Sequence, residues 1–303
     1  MISFIVVAYN SERTIGGCLE SIASQRCRKE LIVVDGGSND RTREIAKRFR
    51  PRLLRDTGGR ISSARNVGLK AAKGSHIAFI DSDVALPEGW CGKALRLLAR
   101  DRRIAGVGGP GISPDKGIVS ESLNRLLYGK SPKSEMYVSS LATMDVLYRK
   151  AALKGQLFDE TLVTGEDPEF NMRLVKGGRR LLFSRELWVW HHHPVSLGGL
   201  VRKWYNYGTN YPAMASKHRE FRDRGYVVRL SFIPVLLGFS LLSLLSPILI
   251  SIPVLQAGLL YLIYLIKGFR VGMGARAPLF AGVHWLKQLA QLLGTFVGLR
   301  KVM

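Results

Sequence analysis

The sequence predicts an α/β domain built on a mostly parallel sheet, followed by interfacial helices and a C-terminal transmembrane helical hairpin. Three observations carry that expectation. The runs Ile2 to Ala8, Leu31 to Val34 and Ile77 to Ile80 are apolar without alternation, as in strands covered on both faces. Between them lie stretches with helical spacing of apolar residues, the order that builds right-handed crossovers onto a parallel sheet. From Leu230 to Ile266 no charged residue occurs, a run well beyond the roughly 20 residues that cross a bilayer.

In chain order, Ile2 to Ala8 is the first strand. It lacks a basic leader and runs into a polar helical pattern, so it does not read as a signal peptide, and the domain it opens is expected to stay cytosolic. Ser11 to Thr14 start a helix whose apolar positions are Ile15, Leu19 and Ile22. Leu31 to Val34 is a second strand. It ends in Asp35-Gly36-Gly37-Ser38-Asn39-Asp40, a turn rich in flexible and capping residues that leads into a helix from about Arg41 to Phe49. A short strand around Leu53 and the turn Thr57-Gly58-Gly59 precede a helix from Ile61 to Ala72. The next strand stops at Asp81-Ser82-Asp83, and farther on Phe170 to Val175 is helical.

The α/β domain is expected over residues 1–195. Residues 196–226 form an interfacial amphipathic segment, because Trp204, Tyr205, Tyr207 and Tyr211 mix with Arg202 and Lys203 in a composition suited to lipid headgroups. The hairpin occupies 227–270, with arms from Val227 to Ile250 and Pro253 to Phe269 and a turn at Ser251-Ile252-Pro253. Residues 271–303 close the chain with an amphipathic helix, interfacial or packed in a bundle, whose His284, Gln288, Gln291 and Thr295 share a face.

A formal charge of +22, from 45 Lys and Arg against 23 Asp and Glu, points to anionic partners. No nucleic-acid reader helix or zinc module is evident. Much of the excess flanks the uncharged run, with Lys217, Arg219, Arg222, Arg224 and Arg229 before it and Lys267, Arg270 and Arg276 after it. That distribution favours anionic membrane lipids and is expected to put both flanks, with the α/β domain of a multi-pass protein, on the cytoplasmic side of the cell membrane. Cys18, Cys27 and Cys91 fit no metal-ligand spacing and cannot all pair with one another, so they read as packing residues in a reducing compartment.

Open α/β sheets bind ligands beyond the carboxyl ends of their strands, and Asp81 and Asp83 stand at such an end. Two carboxylates one residue apart read as a shared grip on a hard divalent cation, Mn²⁺ or Mg²⁺, with diphosphate oxygens and waters completing its shell; an Asp-Ser-Asp turn is the plain alternative. Tyr9, Asn10, Glu12, Asp35, Ser38, Arg60 and Arg65 fall at strand ends and helix starts around the same crevice. Asp35 reads equally as a nucleobase contact or a helix cap, and Arg65 as a fork for phosphate oxygens or a solvated surface arginine. Neither a Walker loop nor a Gly-X-Gly-X-X-Gly fingerprint follows the first strand, which argues against an ATPase or a dehydrogenase.

The ordered set Val6-Val7-Ala8-Tyr9-Asn10, Val34-Asp35-Gly36-Gly37-Ser38-Asn39-Asp40-Arg41-Thr42, Ala64-Arg65-Asn66-Val67-Gly68 and Phe79-Ile80-Asp81-Ser82-Asp83 resembles glycosyltransferase family 2. The likeness continues through Phe158-Asp159-Glu160, Gly165-Glu166-Asp167, Arg173 and Val189 to His191, about residues 1 to 195 in all. It implies the GT-A fold, a nucleotide-sugar-binding domain, and inversion at the sugar. It also implies that Asp35 contacts the nucleobase, Asp81 the ribose or the metal side, and Asp83 the metal between the phosphates, with Ala8 and Ser82 inside the matching motifs. Asp167 matches the general base. Its plain alternative, with Glu166, is a dipole-favoured start of the following helix. His191 matches an element able to bind metal, diphosphate or acceptor, or simply to pack; His192 and His193 are unassigned.

The chain departs from the family pattern at two points. No proline precedes Ala8-Tyr9-Asn10, and Arg202-Lys203-Trp204 lacks the glutamine of the processive Gln-X-X-Arg-Trp motif, so transfer of a single sugar is expected. The expected reaction moves that sugar, mannose or glucose by family habit, from a nucleotide diphosphate sugar (GDP- or UDP-hexose) to a polyprenyl-linked acceptor at the membrane. The acceptor is a polyprenyl phosphate or a lipid-linked saccharide. The competing expectation is an inactive membrane-anchored scaffold that binds nucleotide sugars within an envelope or glycan assembly pathway.

Overall fold

The computed structural model describes residues 1–128, 134–192, 195–221 and 251–300. The chain divides into two compact units, residues 1–114 with 131–192, and residues 115–130 with 193–303.

In the first unit, β1 (Ile2–Ala8), β2 (Lys29–Asp35), β3 (Arg52–Arg55) and β4 (His76–Asp81) are parallel neighbours in the order β3-β2-β1-β4. Helices α1 (Ile15–Ala23), α2 (Thr42–Lys47) and α3 (Ile61–Ala71) link them. The sheet continues through β9 (Asp145–Arg149), β6 (Ile104–Gly108), β10 (Arg180–Ser184) and β8 (Glu135–Val138) to eight strands. β9 runs antiparallel to both β4 and β6, and β8 antiparallel to β10, so the sheet is mixed on this side and mostly parallel as a whole. A small second sheet has the order β5-β11-β7, from Val84–Ala85, Val189–His191 and Gly111–Ile112. The remaining helices of this unit are α4 (Trp90–Ala99), α6 (Lys150–Leu153) and α7 (Glu166–Lys176).

Burial on both faces accounts for the unbroken apolar runs. Successive side chains of a strand point to opposite faces. Ile2, Phe4, Val6 and Ala8 of β1 therefore pack with Ile15, Leu19 and Ile22 of α1 and Trp90 of α4. Ile5, between them, joins Phe79, Phe158 and Phe170 on the other face, where Phe158 and Phe170 stack at 4.2 Å. Ser11 to Thr14 precede α1 as a turn; the helix proper begins at Ile15 without a side-chain cap.

The second unit holds α5 (Ile118–Tyr128), α8 (Leu197–Lys217), α9 (Ser251–Arg270) and α10 (Ala277–Leu299). α8 and α10 pack backbone to backbone: a Cβ placed on Gly208 would stand 2.2 Å from Gln291 O, and one on Gly294 2.1 Å from Tyr205 O. Only glycine allows that approach. The polar face of α10 turns into this unit. His284 is buried against Tyr264 and Phe280 with its Nε2 3.1 Å from Ser122 O, and Lys287 Nζ lies 3.9 Å from the centre of the Trp204 ring.

Among the described residues no helix is long and apolar enough to cross a membrane. The first arm of the expected hairpin, 227–250, lies outside the described residues, as do Arg222, Arg224, Arg229 and His193. The second arm is helical as α9, but it starts at Ser251, ahead of Pro253, and its uncharged part ends at Ile266. That length is short of the roughly 20 residues a span needs.

Candidate active site

The carboxyl ends of β1, β2 and β4 meet in register, Ala8 against Asp35 and Val7 against Asp81. A crevice of about 850 Å³ opens there. Of the residues expected at the site, Ala8, Tyr9, Asn10, Glu12, Arg60, Asp81, Ser82 and Asp83 line it, joined by Ser11, Arg13, Thr14 and Asp40.

Short polar ties hold its rim. Asn10 sits at φ 47°, in the left-handed region that asparagine tolerates. Its backbone N–H donates to Ser38 Oγ at 2.9 Å, and Asn39 N donates to Asn10 Oδ1 at 3.0 Å. Glu12 N donates to Asp40 Oδ2 at 3.1 Å, while Glu12 Oε2 accepts from Arg41 N at 3.2 Å. Ser11 Oγ and Ser82 Oγ share a hydrogen bond of 2.8 Å, which joins the loop after β1 to the end of β4. Asp35 is buried beneath this rim and accepts from Ser38 N at 3.2 Å and Gly37 N at 3.3 Å, which closes the turn after β2; it does not cap α2, whose N-cap position is Arg41. Arg60 Nη1 donates to Glu160 O at 2.8 Å.

Arg65 takes a different place from the phosphate fork or solvated arginine. The residue is buried on α3, and its guanidinium donates to Glu166 Oε1 at 2.6 Å, Asp167 Oδ1 at 2.8 Å and Asp81 Oδ1 at 3.1 Å. The carboxylates arrive from two directions: Asp81 ends β4, whereas Glu166 and Asp167 open α7, which Gly165 starts at φ 86°. Burial alone would weaken Arg65 as a cation, yet the charges of Asp167, Asp81 and Glu166 outweigh it and hold the guanidinium above its ordinary pKa. Burial also raises Asp81, with Arg65 opposing and Asp83 and Asp167 adding to the rise. Glu166 is raised to about 7, first by burial and then by Asp167, against the pull of Arg65.

Asp167 is held by a second partner that no sequence signal announces. Thr143 donates its hydroxyl to Asp167 Oδ1 at 2.5 Å and its backbone N–H to Oδ2 at 3.1 Å. Ser11, Arg13 and Thr14, by contrast, were within reach of sequence reasoning, since they follow the Ala8-Tyr9-Asn10 motif directly.

His191 does not line the crevice itself; on β11 it is registered against Val84, and its Nε2 lies 3.5 Å from Oδ2 of Asp83, which does. Among the described residues no three of His, Cys, Asp and Glu converge on one metal position. Of the expected trio, Asp83 and His191 face each other directly, while Asp81 gives one carboxylate oxygen to Arg65 and stays in the lining of the crevice. A carboxylate oxygen beside an imidazole nitrogen still suits a divalent cation that takes most of its ligands from diphosphate and water.

Residues 3–153 match the sequence model of Glycosyl transferase family 2. A curated relative, the uncharacterized glycosyltransferase EpsJ of Bacillus subtilis, is 28% identical over 218 residues, which cover 65% of this chain and 62% of EpsJ, so the match spans less than two thirds of that relative. Among solved structures, the mannosyltransferase PcManGT from Pyrobaculum calidifontis in complex with GDP-Man and Mn²⁺ is similar with a TM-score of 0.65 at 17% identity, over 100% of this chain and 88% of that one. TarS 1–349 of S. aureus in complex with UDP-GlcNAc gives 0.54 at 21% identity, over 100% and 92%. The fold is that of a GT-A-like α/β domain.

Proposed function

Because residues 3–153 form a glycosyl transferase family 2 domain, we propose that this chain moves one sugar, mannose or glucose first, from a GDP- or UDP-hexose to a polyprenyl-linked acceptor, with inversion, at the cytoplasmic face of the cell membrane. The observation that carries the reading is the carboxylate group gathered by Arg65 around Asp81, which lines the crevice together with Asp83, the partner of His191. The crevice takes the nucleoside and ribose along Tyr9, Asn10, Glu12 and Asp81, with Asp35 and Ser38 supporting the rim beneath them. Asp167 accepts the proton of an acceptor hydroxyl as its oxygen attacks the anomeric carbon, and Arg65 and Thr143 fix the direction in which Asp167 points. Asp83 and His191 would hold the divalent cation, Mn²⁺ or Mg²⁺, which would supply positive charge for a diphosphate leaving group.

Three features of the second unit support the membrane part of the proposal. α9 exposes Val254, Leu255, Leu259, Leu262, Ile263 and Ile266. Its last turn carries Lys267 and Arg270, suited to anionic headgroups, and the glycine contact of α8 with α10 is a packing mode common between helices in lipid.

A second reading, the inactive scaffold, draws on one observation: both oxygens of Asp167 already accept hydrogen bonds. Incubating the purified full chain with GDP- and UDP-hexoses, Mn²⁺ or Mg²⁺, and either polyprenyl phosphate or a short lipid-linked saccharide separates the two. Transfer in at least one combination supports the enzyme, and nucleotide-sugar binding without transfer in any supports the scaffold.

A further inference from the structure

Cys27 and Cys91 lie apart from the machinery described above. Cys27 is half-buried in the loop between α1 and β2, and Cys91 is buried in the first turn of α4. Their sulfurs share a hydrogen bond of 3.0 Å, about 1 Å longer than a covalent disulfide. A single side chain holds the two backbones in this relation: Gln25 Nε2 donates to Pro87 O at 3.0 Å, and Cys91 N donates to Gln25 Oε1 at 3.2 Å. Lys29 Nζ, beside Cys27 in the chain, donates to Ala23 O and Gln25 O at 2.7 and 2.6 Å and pins the same loop. The third thiol, Cys18, points elsewhere and donates to Asp81 O at 3.4 Å.

We propose that Cys27 and Cys91 are a dithiol modification site, which a low-molecular-weight disulfide oxidises to a covalent cross-link between the α1–β2 loop and α4. The half-buried Cys27 is the sulfur that a small oxidant can reach. The contact with Cys91 favours its thiolate, bringing the Cys27 pKa down to about 7 against the opposing effect of burial, with Lys29 assisting. The Cys27 thiolate attacks one sulfur of the oxidant, forming a mixed disulfide and expelling one small thiolate. Cys91 then loses its proton to water and attacks the Cys27 sulfur, releasing the second small thiol. The protein gives up two protons and two electrons, and the oxidant is reduced to two thiols. The ring so closed contains β2, α2, β3, α3 and β4 together with Asp81 and Asp83, so oxidation restricts the unfolded chain over the segment that builds the crevice.

The test treats the full-length protein with oxidised glutathione, quenches it in acid, alkylates it after unfolding and maps peptides by mass spectrometry. The expected product is a Cys27–Cys91 peptide pair two hydrogens lighter than its parts, with Cys18 alkylated. Its melting temperature should lie roughly 5 °C or more above that of the reduced protein and return on addition of dithiothreitol. Cys91→Ser is expected to stop at a glutathione adduct on Cys27, with no oxidant-dependent rise in melting temperature. Alkylation of both Cys27 and Cys91 after oxidation, a link through Cys18, or a wild-type adduct on Cys27 that never resolves would each overturn the proposal.

Discussion

Arg65 Nη1 stands 2.8 Å from Asp167 Oδ1, so the crossover helix α3 and the start of α7, a hundred residues later, share one charge-assisted hydrogen bond. The same guanidinium serves Glu166 and Asp81. A buried cation among three carboxylates is costly to remove, because its partners stay behind unpaired. Arg65→Met should destabilise the first unit by about 3–5 kcal/mol, read as a fall in the denaturant midpoint. Arg65→Lys should recover only part of the loss, since one ammonium cannot reproduce the planar fork. A loss of nucleotide affinity at unchanged stability would instead return Arg65 to a phosphate-binding role.

Asp167→Asn keeps the shape of the side chain and the start of α7 but cannot take a proton. Turnover should fall by about two to four orders of magnitude while nucleotide-sugar affinity changes little. If Asp167 serves only to begin the helix, turnover stays near normal, and Glu166 becomes the next carboxylate to test. Thr143→Val, which removes one of the two bonds Thr143 gives Asp167, should lower kcat more than it raises KM.

Glu166 carries a pH signature. Its folded pKa is raised to about 7 from an ordinary 4.5, so the folded state holds that proton more tightly than the unfolded chain does. The stability contributed by this proton is fully present below about pH 4.5 and is lost as pH rises through about 7. Thermal melts of the wild type and Glu166→Gln between about pH 4 and 8 isolate the effect. The melting temperature of the wild type should fall relative to that of the variant across this window, and parallel curves would show that Glu166 does not titrate there.

Asp83→Ala removes the carboxylate partner of His191. Nucleotide diphosphate affinity in Mn²⁺ should drop to the value measured with a chelator, since the cation loses one of its few protein oxygens. Calorimetry with and without metal decides the matter: a variant that keeps the full metal-dependent increment would remove Asp83 from the metal site.

On α9, the paired change Leu259→Asp and Ile263→Asp charges an exposed apolar face without touching the first unit. Co-sedimentation with vesicles containing anionic lipid should weaken by an order of magnitude or more, because each charge must be dragged toward the acyl layer. Unchanged sedimentation would move membrane contact to another surface.

The strands of the parallel half were legible because a strand buried on both faces must be apolar throughout; Ile2 to Ala8 and Ile77 to Ile80 advertise it. Their carboxyl ends followed, and so did the crevice residues Ala8, Tyr9, Asn10, Glu12, Asp81, Ser82 and Asp83, though not Ser11 between them. The antiparallel half was not. β9 begins with Asp145, a buried carboxylate that accepts from Gly109 N at 3.0 Å and whose pKa burial raises well above its ordinary value, an unusual opening for a central strand. β11 has three residues, too few for any period to show, yet it alone carries His191 to Asp83. Arg65 was hidden by its company: among 45 basic residues nothing in one position distinguishes a buried arginine, and its partners Glu166 and Asp167 lie 101 and 102 positions away.

The contact of α8 with α10 through Gly208 and Gly294 has a consequence for how the second unit opens. With no side chain between them at these points, neither helix can swing away while the other keeps its surroundings, because the carbonyls of Tyr205 and Gln291 are covered directly by the opposite backbone. Their central amides should therefore exchange with deuterium through one shared opening event, with equal protection on both helices, whereas α9, with its apolar side chains turned outward, should release its amides sooner.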